Sequence, residues 1–513
     1  MSPLRLQIAD RTFAALLFLS FILYFGLSVF REVWIGDICR YIAGVSALQT
    51  SFWSPGHEAV AFAPSQETAI YTPFVVGTAL LGIAFVLSPY ATLQLVGVLN
   101  LILYVASICR FFRVFSASKR CWIAPALFLL VSLTVRNFNY GWSSETSLVT
   151  FKWVQAYPST FGWSIVLLCL SETELYLRGG RKAHLFRLGL GTWTLFISHI
   201  ISAGWLVGLL LLRLTYQRLV PQNECAGSPR ALLGVVAASL LAAPLWPYFN
   251  IFDIFSQTGY PEVPKFGNHL PAEVWYPFLL GLPALLYFNL KGTHRLITFW
   301  FLGTWSALLT FKTLGITFGM RFFFFQQFFL HVATAEAMVL ALRKLVSPKE
   351  KIERSLLALL ILSTVGIAFS PQFPLAASGA DGLKSPSQLL ESKPSRLELE
   401  EKWGAFRQIL GPDDVVLTPP GEVSVYLAAY TGCRSVTGLY THLLDDTEER
   451  TAGVEAFFDP TRERLDRIEV LQKYKVTKVV VPLQSGPEFI SILGEPRLEL
   501  QDFTVFDLTR PQE

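Results

Sequence analysis

Residues 12–30 read TFAALLFLSFILYFGLSVF, an apolar run without a single charged residue. A helix of this length is enough to cross the hydrocarbon core of a bilayer, which takes about 20 residues. Arg5 and Arg11 precede the run, and it is followed by Arg31-Glu32-Val33-Trp34 without a small-x-small cleavage site. The run is therefore predicted to be an uncleaved first membrane span rather than a signal peptide that is removed.

The composition of the whole chain agrees with a membrane setting. Of its 513 residues, 52% are hydrophobic and only 16% are charged, whereas an ordinary soluble protein has about 25% charged residues. So little polar surface cannot cover the several soluble domains that a chain of this length would form. This excludes a soluble globular enzyme, a disordered protein and a nucleic-acid-binding protein. The six cysteines are scattered without a CxxC pair, which favours buried thiols over a metal site or a disulfide framework.

Further apolar runs recur along the first 370 residues. They predict a mainly α fold, a polytopic transmembrane bundle of roughly 10 to 13 helical elements. The runs lie near 73–88, 91–109, 121–135, 159–177, 188–212, 231–249, 276–290, 296–311, 322–342 and 352–370.

Lys and Arg collect in a few of the connecting segments, and the cytoplasmic loops of membrane proteins are enriched in these residues. The N-terminus and the basic segments are therefore predicted to face the cytoplasm. The remaining loops, and everything after residue 370, are predicted to face the other side. The basic segments are 110–120, 178–187, 213–230 and 343–354, and the external loops are 31–72, 136–158, 250–275 and 312–321.

This orientation constrains two stretches of the chain. Residues 73–109 must cross the membrane an odd number of times although they contain two apolar runs, so one run is predicted to dip or to lie in the interface. Residues 188–212 lie between two basic loops and must cross an even number of times. Two short half-helices that meet near Ser198 and His199 would satisfy that requirement.

The last part of the chain has a different composition. Residues 371–398 are rich in Pro, Ser, Gly and Ala and are predicted to be a linker between a transmembrane domain, 1–370, and a small extracytoplasmic α/β domain, 399–513. The pattern in the last domain predicts strands near 413–418, 478–482 and 503–507, and helices near 423–430 and 462–474.

The first external loop carries the strongest candidate for chemistry. Asp37 follows the first span closely, so its carboxylate is expected at the membrane interface, at the mouth of any cavity between helices. A carboxylate in that position can act as general base on an acceptor hydroxyl. The alternative is a carboxylate that caps a helix or pairs with Arg40. Residues 41–50 predict a helix that lies on the membrane, and Tyr71-Thr72-Pro73 leads into the next apolar run.

This layout resembles the GT-C superfamily of polytopic glycosyltransferases. Its members have an acidic residue just after the first span, an amphipathic helix along the membrane, and a Tyr/Pro-containing segment before the second span. The similarity continues with Gly141-Trp142 and Tyr157-Pro158 around the second external loop, with the aromatic run after Arg321, and with a small external α/β domain at the end. It extends over nearly the full length, but its motifs are short, so it names a superfamily and not a substrate.

The resemblance implies transfer of a sugar from a polyprenyl-phosphate-linked donor to a glycan, lipid or protein acceptor on the extracytoplasmic side, with Asp37 as catalytic base. The lipid phosphate requires cations near the interface. Two external cations fit, Lys312 and Arg321, and the planar guanidinium makes Arg321 the preferred phosphate ligand. The alternative for both is ordinary anchoring of a helix end in the interface.

Several polar residues are candidates for binding the sugar or the acceptor. Each candidate also has a structural interpretation. His57 and Glu58 would form an exposed pair in a loop, Glu145 would lie in an interfacial loop, and His199 would only hydrogen-bond to a backbone carbonyl. No acidic pair stands beside Asp37, so no cofactor is predicted, and the sequence does not support a divalent metal ion. The candidates are His57, Glu58, Tyr71, Glu145 and His199.

Two other functions fit the composition. A transporter or flippase of lipid-linked sugars would show repeat symmetry and broken spans at mid-membrane depth, and the sequence shows no repeat. A non-catalytic subunit of a glycan assembly complex would use the external domain as a binding module. The few cysteines and glycosylation acceptors favour a prokaryotic source, and the bacterial inner membrane is then the expected location.

Overall fold

The structure is a computed structural model of the chain, and it divides into two compact units. The helical unit comprises Met1–Glu32, Gly97–Ala242 and Glu262–Lys393, and the mixed unit comprises Val33–Val96, Ala243–Pro261 and Pro394–Glu513. The residues that the structure describes are 3–31, 38–64, 68–116, 123–132, 155–220, 226–256, 276–313, 322–346, 399, 402–419, 421, 423–438, 444, 446–500 and 502–509.

Helices dominate the chain up to residue 346, and each predicted apolar run before that point coincides with at least one of them. The predicted run at 352–370 lies outside the described residues. The helices are α1 (Pro3–Arg31), α2 (Ile38–Thr50), α3 (Pro73–Phe85), α4 (Pro89–Phe115), α5 (Ile123–Ser132), α6 (Pro158–Gly179), α7 (Lys182–Ser198), α8 (Ile200–Leu219), α9 (Pro229–Leu241), α10 (Ile251–Ser256), α11 (Tyr276–Leu290), α12 (Arg295–Thr313) and α13 (Phe322–Val346).

Local sequence explains where several of these helices begin. Proline stands at the start of α3, α6 and α9, where its missing N–H costs nothing and its fixed φ suits the helix. Thr72 and Ser228 precede two of these prolines, and their hydroxyls accept hydrogen bonds from Val75 N and Ala231 N, both at 3.4 Å. These N-caps satisfy backbone donors that a helix leaves free at its start.

The predicted interruption of the 188–212 run is confirmed. α7 ends at Ser198 and α8 begins at Ile200, while His199 between them has φ −156° and ψ 86°. The backbone therefore leaves the helical region for a single residue. The two helices extend well beyond the apolar run on both sides, so they are longer than the half-helices expected from the sequence.

Helices of the helical unit expose large apolar side chains. On α1, Leu16, Leu19, Leu23 and Leu27 are each more than half exposed, whereas Phe25 is buried. This spacing gives the helix one packed face and one face of exposed leucines. Large exposed apolar surfaces are rare on soluble monomers. Helices α9, α11 and α12 expose further leucines: Leu233, Leu240, Leu241, Leu279, Leu286, Leu290, Leu302 and Leu309.

Two of the described helices are both long and apolar enough to cross a membrane by length and composition: α4 and α8. Shorter apolar helical stretches are Ala14–Leu27, Pro73–Phe85, Ile123–Ser132, Pro229–Leu245 and Phe278–Leu290.

The mixed unit contains a five-stranded sheet in the order β2-β1-β3-β5-β4. β1 pairs in parallel with β2 and β3, and β5 pairs antiparallel with β3 and β4. The strands are β1 (Val415–Leu417), β2 (Arg434–Ser435), β3 (Lys478–Pro482), β4 (Leu498–Glu499) and β5 (Phe503–Asp507), and the helices are α14 (Val423–Thr431), α15 (Thr447–Phe458), α16 (Arg464–Lys473) and α17 (Gly486–Leu493).

The predicted strands and helices of the C-terminal part are confirmed, and the expected mainly helical fold with a small C-terminal sheet is observed. Four elements of this part were not predicted from the sequence: β2, β4, α15 and α17. β2 and β4 are two residues long, which is too short for an alternating pattern to show. The first turn of α15 contains the acidic residues Glu448 and Glu449, and such a run of charges is also typical of a solvent-exposed loop.

Residues of the predicted first external loop extend this sheet. Val60 forms a parallel bridge with Ser435 of β2, Ala61 N donates to Ser435 O, and Ser435 N donates to Ala59 O, both at 2.8 Å. Arg450 of α15 donates to the carbonyl oxygens of Ala61 and Val436. The edge of β2 is therefore covered by the loop, which belongs to the same compact unit as the C-terminal part. The domain boundaries predicted from composition stay a prediction.

Candidate functional site

The amphipathic helix of the first loop is a packed element of the mixed unit. α2 lies against α3 and α14, and Ile42, Val45 and Leu48 are buried. Gly44 allows close approach, since a Cβ there would stand 3.1 Å from Ile70 Cγ1. The helix predicted over 41–50 is thus confirmed, and it begins at Ile38, one residue after Asp37.

A buried carboxylate joins α2 to the loop that follows it. Arg40 Nε donates to Glu58 Oε1 at 2.5 Å, and Arg40 Nη2 donates to Thr68 Oγ1 at 3.1 Å. The Glu58 side chain is 1% exposed and that of Arg40 15%. An ionised group removed from water needs such a partner, because isolated burial of a charge costs several kcal/mol or more. The loop is therefore held in a defined conformation by an ion pair at its centre.

His57 next to it is buried and neutral. Its Nδ1 accepts hydrogen bonds from the backbone N–H groups of Ala59 at 3.2 Å and Val60 at 3.3 Å, so Nδ1 carries a lone pair and the proton resides on Nε2. The 3.1 Å approach of Nδ1 to Glu58 Oε2 is consequently not an ion pair. Within the described residues, neither His57 Nε2 nor Glu58 Oε2 has a hydrogen-bond partner.

Both His57 and Glu58 have pKa values below their ordinary values, for different reasons. Burial lowers the pKa of His57 from 6.5 to about 4, against the attraction of the Glu58 carboxylate. Burial acts to raise the pKa of Glu58, but the charge of Arg40 and the hydrogen bonds from Arg40 and Thr68 together lower it to about 2. At neutral pH the cluster therefore holds a neutral imidazole, a carboxylate and a guanidinium.

Tyr71 has a different environment. Its side chain is fully buried, and its hydroxyl donates to Gly56 O at 2.7 Å. Its backbone carbonyl accepts a hydrogen bond from Trp246 Nε1, also at 2.7 Å. Burial raises the pKa of its phenol well above 10. These bonds tie the Pro-Gly turn to the start of α3 and give Tyr71 a positioning role, while its assignment to sugar binding stays a prediction.

The structure brings three of the predicted site residues together in the mixed unit: His57, Glu58 and Tyr71. His199 belongs to the helical unit, where its Nδ1 is 2.7 Å from Ser202 Oγ, and a Cβ on Gly162 would stand 3.1 Å from its Cβ. Lys312 falls in α12, although its side chain lies outside the described part. Asp37, Glu145 and Arg321 lie outside the described residues. The roles of all these residues stay predictions.

Residues from distant parts of the chain contact the loop, and none of them was predicted from the sequence. Arg434 Nη2 donates to Pro55 O at 2.9 Å across a separation of 379 residues. Arg450, Trp246 and Tyr248 likewise reach the loop from distant segments. No local pattern could have found them, because each contact depends on the tertiary fold.

Metal binding has no support in the described part of the chain, which contains no group of three His, Cys, Asp or Glu side chains placed to hold an ion. The absence of a metal requirement stays a prediction.

The full-length fold is similar to that of ArnT from Cupriavidus metallidurans. In the apo state the identity is 14%, with 98% of this chain and 99% of that chain covered at a TM-score of 0.54. In complex with undecaprenyl phosphate the identity is 12%, with 97% and 99% covered at a TM-score of 0.51. The chain has a GT-C fold. The resemblance stated from the sequence is therefore confirmed for the fold.

A weaker structural match is the archaeal oligosaccharyltransferase AglB from Archaeoglobus fulgidus, at 12% identity, with 93% of this chain and 70% of that chain covered and a TM-score of 0.45. No protein-family model matches the sequence, and no curated protein sequence matches it.

Proposed function

We propose that the chain is a multi-pass membrane glycosyltransferase. It transfers a sugar from a polyprenyl-phosphate-linked donor to an acceptor on the extracytoplasmic side, with Asp37 as general base. Arg321 and Lys312 bind the lipid phosphate, and the donor and acceptor sugars are held by polar side chains of the external loops. The GT-C fold over nearly the whole chain is the observation that carries the proposal.

The lipid class proposed for the donor is supported by the fold comparison. The similar ArnT structure holds undecaprenyl phosphate, a polyprenyl phosphate. A donor of this kind resides in the bilayer and presents its phosphate at the interface. The exposed leucines of α1 support a membrane location, since they form a face suited to lipid.

The catalytic role of Asp37 is supported by what surrounds its position in the chain. α2 begins at the next residue, and the ion pair of Arg40 with Glu58 fixes that helix end. A general base must be held within hydrogen-bond reach of the hydroxyl that it deprotonates. The buried ion pair of Arg40 thus stabilises the start of the helix that directly follows the proposed base in sequence.

The proposal is tested with the purified full-length chain in lipid nanodiscs, supplied with undecaprenyl-phosphate-linked glucose, mannose or arabinose and a lipid or glycan acceptor extract. Wild type is expected to transfer one of these sugars. Asp37→Asn keeps the shape but removes the base, so the rate should fall by about 10²–10⁴-fold. The matched control is Asp466→Asn, on an exposed part of α16, and it should transfer like wild type. Equal rates for Asp37→Asn and wild type would contradict the catalytic role.

The two alternatives give different results in vesicles. A flippase would move a fluorescent lipid-linked sugar between leaflets without forming product, and Asp37→Asn would not affect that movement. A non-catalytic subunit would neither move the lipid nor form product. Product formation by the isolated chain excludes both.

A further inference from the structure

Residues 68–109 contain no charged side chain, and they comprise the end of the first loop, α3 and most of α4. α4 has 27 residues and is long and apolar enough to cross a membrane. α3 has only 13 residues, about 20 Å of helix, whereas the hydrocarbon core is about 30 Å thick. The predicted orientation requires an odd number of crossings between residues 73 and 109, and α4 alone supplies one. α3 is therefore too short to cross, and no crossing is required of it.

α3 lies beside α2 in the mixed unit, and the two helices run in the same direction. Near their starts, a Cβ on Gly44 would stand 3.6 Å from Val75 Cγ1. Near their ends, the side-chain amide of Gln49 lies against Gly82. Thr78 is the only polar side chain of α3, and a helix that is apolar all round belongs in a protein core or in a membrane. Beyond the side that α2 covers, α3 therefore requires an apolar neighbour.

The end of α3 is exposed. Leu80 and Ile83 lie on one face at a spacing of three residues, and both are exposed. Phe85 and, in the turn that follows, Val86 are more than half exposed. Trp53, shortly after the end of α2, is 87% exposed. The last three side chains form the apolar tip of the helix pair, and an exposed apolar surface of this kind marks an interaction site.

The backbone of Val86 is strained. Its φ of 52° and ψ of 45° lie in the left-handed region, where a β-branched residue is an outlier and glycine usually ends a helix. A Cβ costs about 1–2 kcal/mol there, and contacts within the described residues recover little of it, because the side chain is 92% exposed. Transfer of a valine side chain from water to an apolar medium is worth about 1.5–3 kcal/mol. Burial in hydrocarbon would therefore offset the strain.

Polar backbone groups of this turn have partners inside the protein. The N–H of Val86 donates to Ile83 O at 3.3 Å, and the N–H of Leu87 donates to Gly82 O at 2.9 Å. Leu87 O in turn accepts from Gln49 Nε2 at 3.2 Å. No water supplies such bonds in hydrocarbon, so non-helical backbone is tolerated there only where the protein satisfies it. These three bonds make the turn suitable for a position below the headgroups.

We infer that α3 dips into the outer leaflet of the membrane without crossing it. Phe85 and Val86 lie among the acyl chains, and Trp53 lies at the boundary with the headgroups, where Trp is enriched. The partner is the hydrocarbon and not a particular headgroup, because the segment carries no charge. The dipping helix holds α2 at the membrane surface. The inference rests on the membrane location and orientation in the proposed function, and not on sugar transfer.

The test is site-directed spin labelling of the full-length chain, without its native cysteines, in phosphatidylcholine nanodiscs. Val86→Cys carries the label at the tip. Gln472→Cys, exposed on α16, is the reference for water, and Ile102→Cys, exposed on α4, is the reference for lipid. The Val86 label should collide with oxygen as often as the Ile102 label does, and with a water-soluble nickel complex several-fold less often than the Gln472 label does.

Two failures of this experiment are distinguishable. Equal nickel accessibility at Val86 and Gln472, with Ile102 protected, would overturn the dipping helix and leave the membrane location intact. Nickel accessibility at Ile102 as well would contradict the membrane location in the proposed function.

A second measurement separates a dipping helix from a crossing one. If α3 and α4 formed a transmembrane hairpin, the turn at Val86 would lie at the cytoplasmic surface. Val86→Cys would then react with a membrane-impermeant maleimide in inside-out vesicles, and that result would overturn the inference. The dipping helix predicts no reaction from the cytoplasmic side, and a slower reaction than that of Gln472→Cys from outside.

A charged tip tests insertion directly. With the spin label on Ile83→Cys, the additional change Val86→Glu should raise collisions with the nickel complex several-fold, because a carboxylate is costly in hydrocarbon. Leu465→Glu, at an exposed leucine of α16, is the control and should leave the Ile83 label unchanged. Thermal unfolding checks that both variants fold. An unchanged Ile83 label in folded Val86→Glu would overturn insertion of the tip.

Discussion

Gly56 lies against the guanidinium of Arg434: a Cβ on Gly56 would stand 3.1 Å from Arg434 Nη1 and 3.3 Å from Nη2. The same glycine has φ +67°, a conformation that costs residues with a Cβ roughly 1–2 kcal/mol. The Pro-Gly turn before His57 therefore requires glycine for two reasons, its backbone and the close contact with Arg434.

Gly56→Ala is expected to destabilise the protein by about 1–3 kcal/mol, because strain and steric contact add. The apparent melting temperature in detergent measures the effect. Gly411→Ala is the control, since a Cβ there meets nothing within 4 Å. Equal melting temperatures for the two variants would show that the turn adapts without cost.

Breaking the ion pair of Arg40 with Glu58 should be more damaging than removing both partners. Arg40→Met leaves a buried carboxylate without its counter-charge, a loss of about 3–5 kcal/mol. The double variant Arg40→Met with Glu58→Met leaves no uncompensated charge. A double-mutant cycle on denaturant unfolding is expected to give a double-variant loss smaller than the sum of the single losses. Additive losses would mean that the two residues are not coupled.

Lowering the pH from 6.5 towards 4 should destabilise wild type through His57. Its pKa falls from 6.5 to about 4 on folding, so the unfolded chain binds more protons in this window and stability rises with pH. The whole shift corresponds to about 3 kcal/mol. The pKa of Glu58 falls to about 2, so its contribution is present above 4.5 and is lost only as the pH falls from there towards 2.

The matched variant is His57→Asn, which keeps a side-chain acceptor for the N–H groups of Ala59 and Val60 but does not titrate in this range. Between pH 6.5 and 4.5 the free energy of unfolding should change less with pH for the variant than for wild type. If the free energy of unfolding changed equally with pH in both proteins, a group other than His57 would be responsible for the pH dependence.

Replacement of Arg321 separates phosphate binding from membrane anchoring. Arg321→Lys keeps the charge but loses the planar fork, so binding of undecaprenyl phosphate should weaken while the protein still folds. Arg321→Ala should weaken it further, because a charge-assisted contact is typically worth about 1.5–3 kcal/mol. Native mass spectrometry or a lipid-competition assay measures both. Equal lipid binding by wild type and both variants would shift the assignment to Lys312.

The predicted orientation is tested by cysteine labelling in intact cells. In a background without the native cysteines, Gln472→Cys in the exposed part of α16 should react with a membrane-impermeant maleimide from outside. Lys182→Cys at the start of α7 should react only after permeabilisation. The reverse pattern would place Asp37 on the cytoplasmic side, where the proposed reaction could not occur.

The apolar helices, the break at His199 and the strands Lys478–Pro482 and Phe503–Asp507 could be predicted from the sequence alone. These features depend on runs of neighbouring residues, whose hydrophobic period or length decides between helix and strand. His57 and Glu58 could be selected because they share a turn with Pro55 and Gly56, and Tyr71 because the Tyr-Thr-Pro segment before the second apolar run resembles that of the GT-C superfamily. Whether His57 and Glu58 are exposed could not be predicted in this way, since burial depends on what covers them.

The burial of His57 and Glu58 comes from contacts of the tertiary fold. Arg434 and Arg450 reach the loop from nearly 400 residues further along the chain, and Val60 pairs with Ser435 at the edge of the sheet. Such contacts have no local signature, because a residue's charge or size does not reveal its distant partner. The loop that sequence composition assigned to the transmembrane domain is consequently packed with the C-terminal sheet, where burial makes Glu58 depend on Arg40 and keeps His57 neutral.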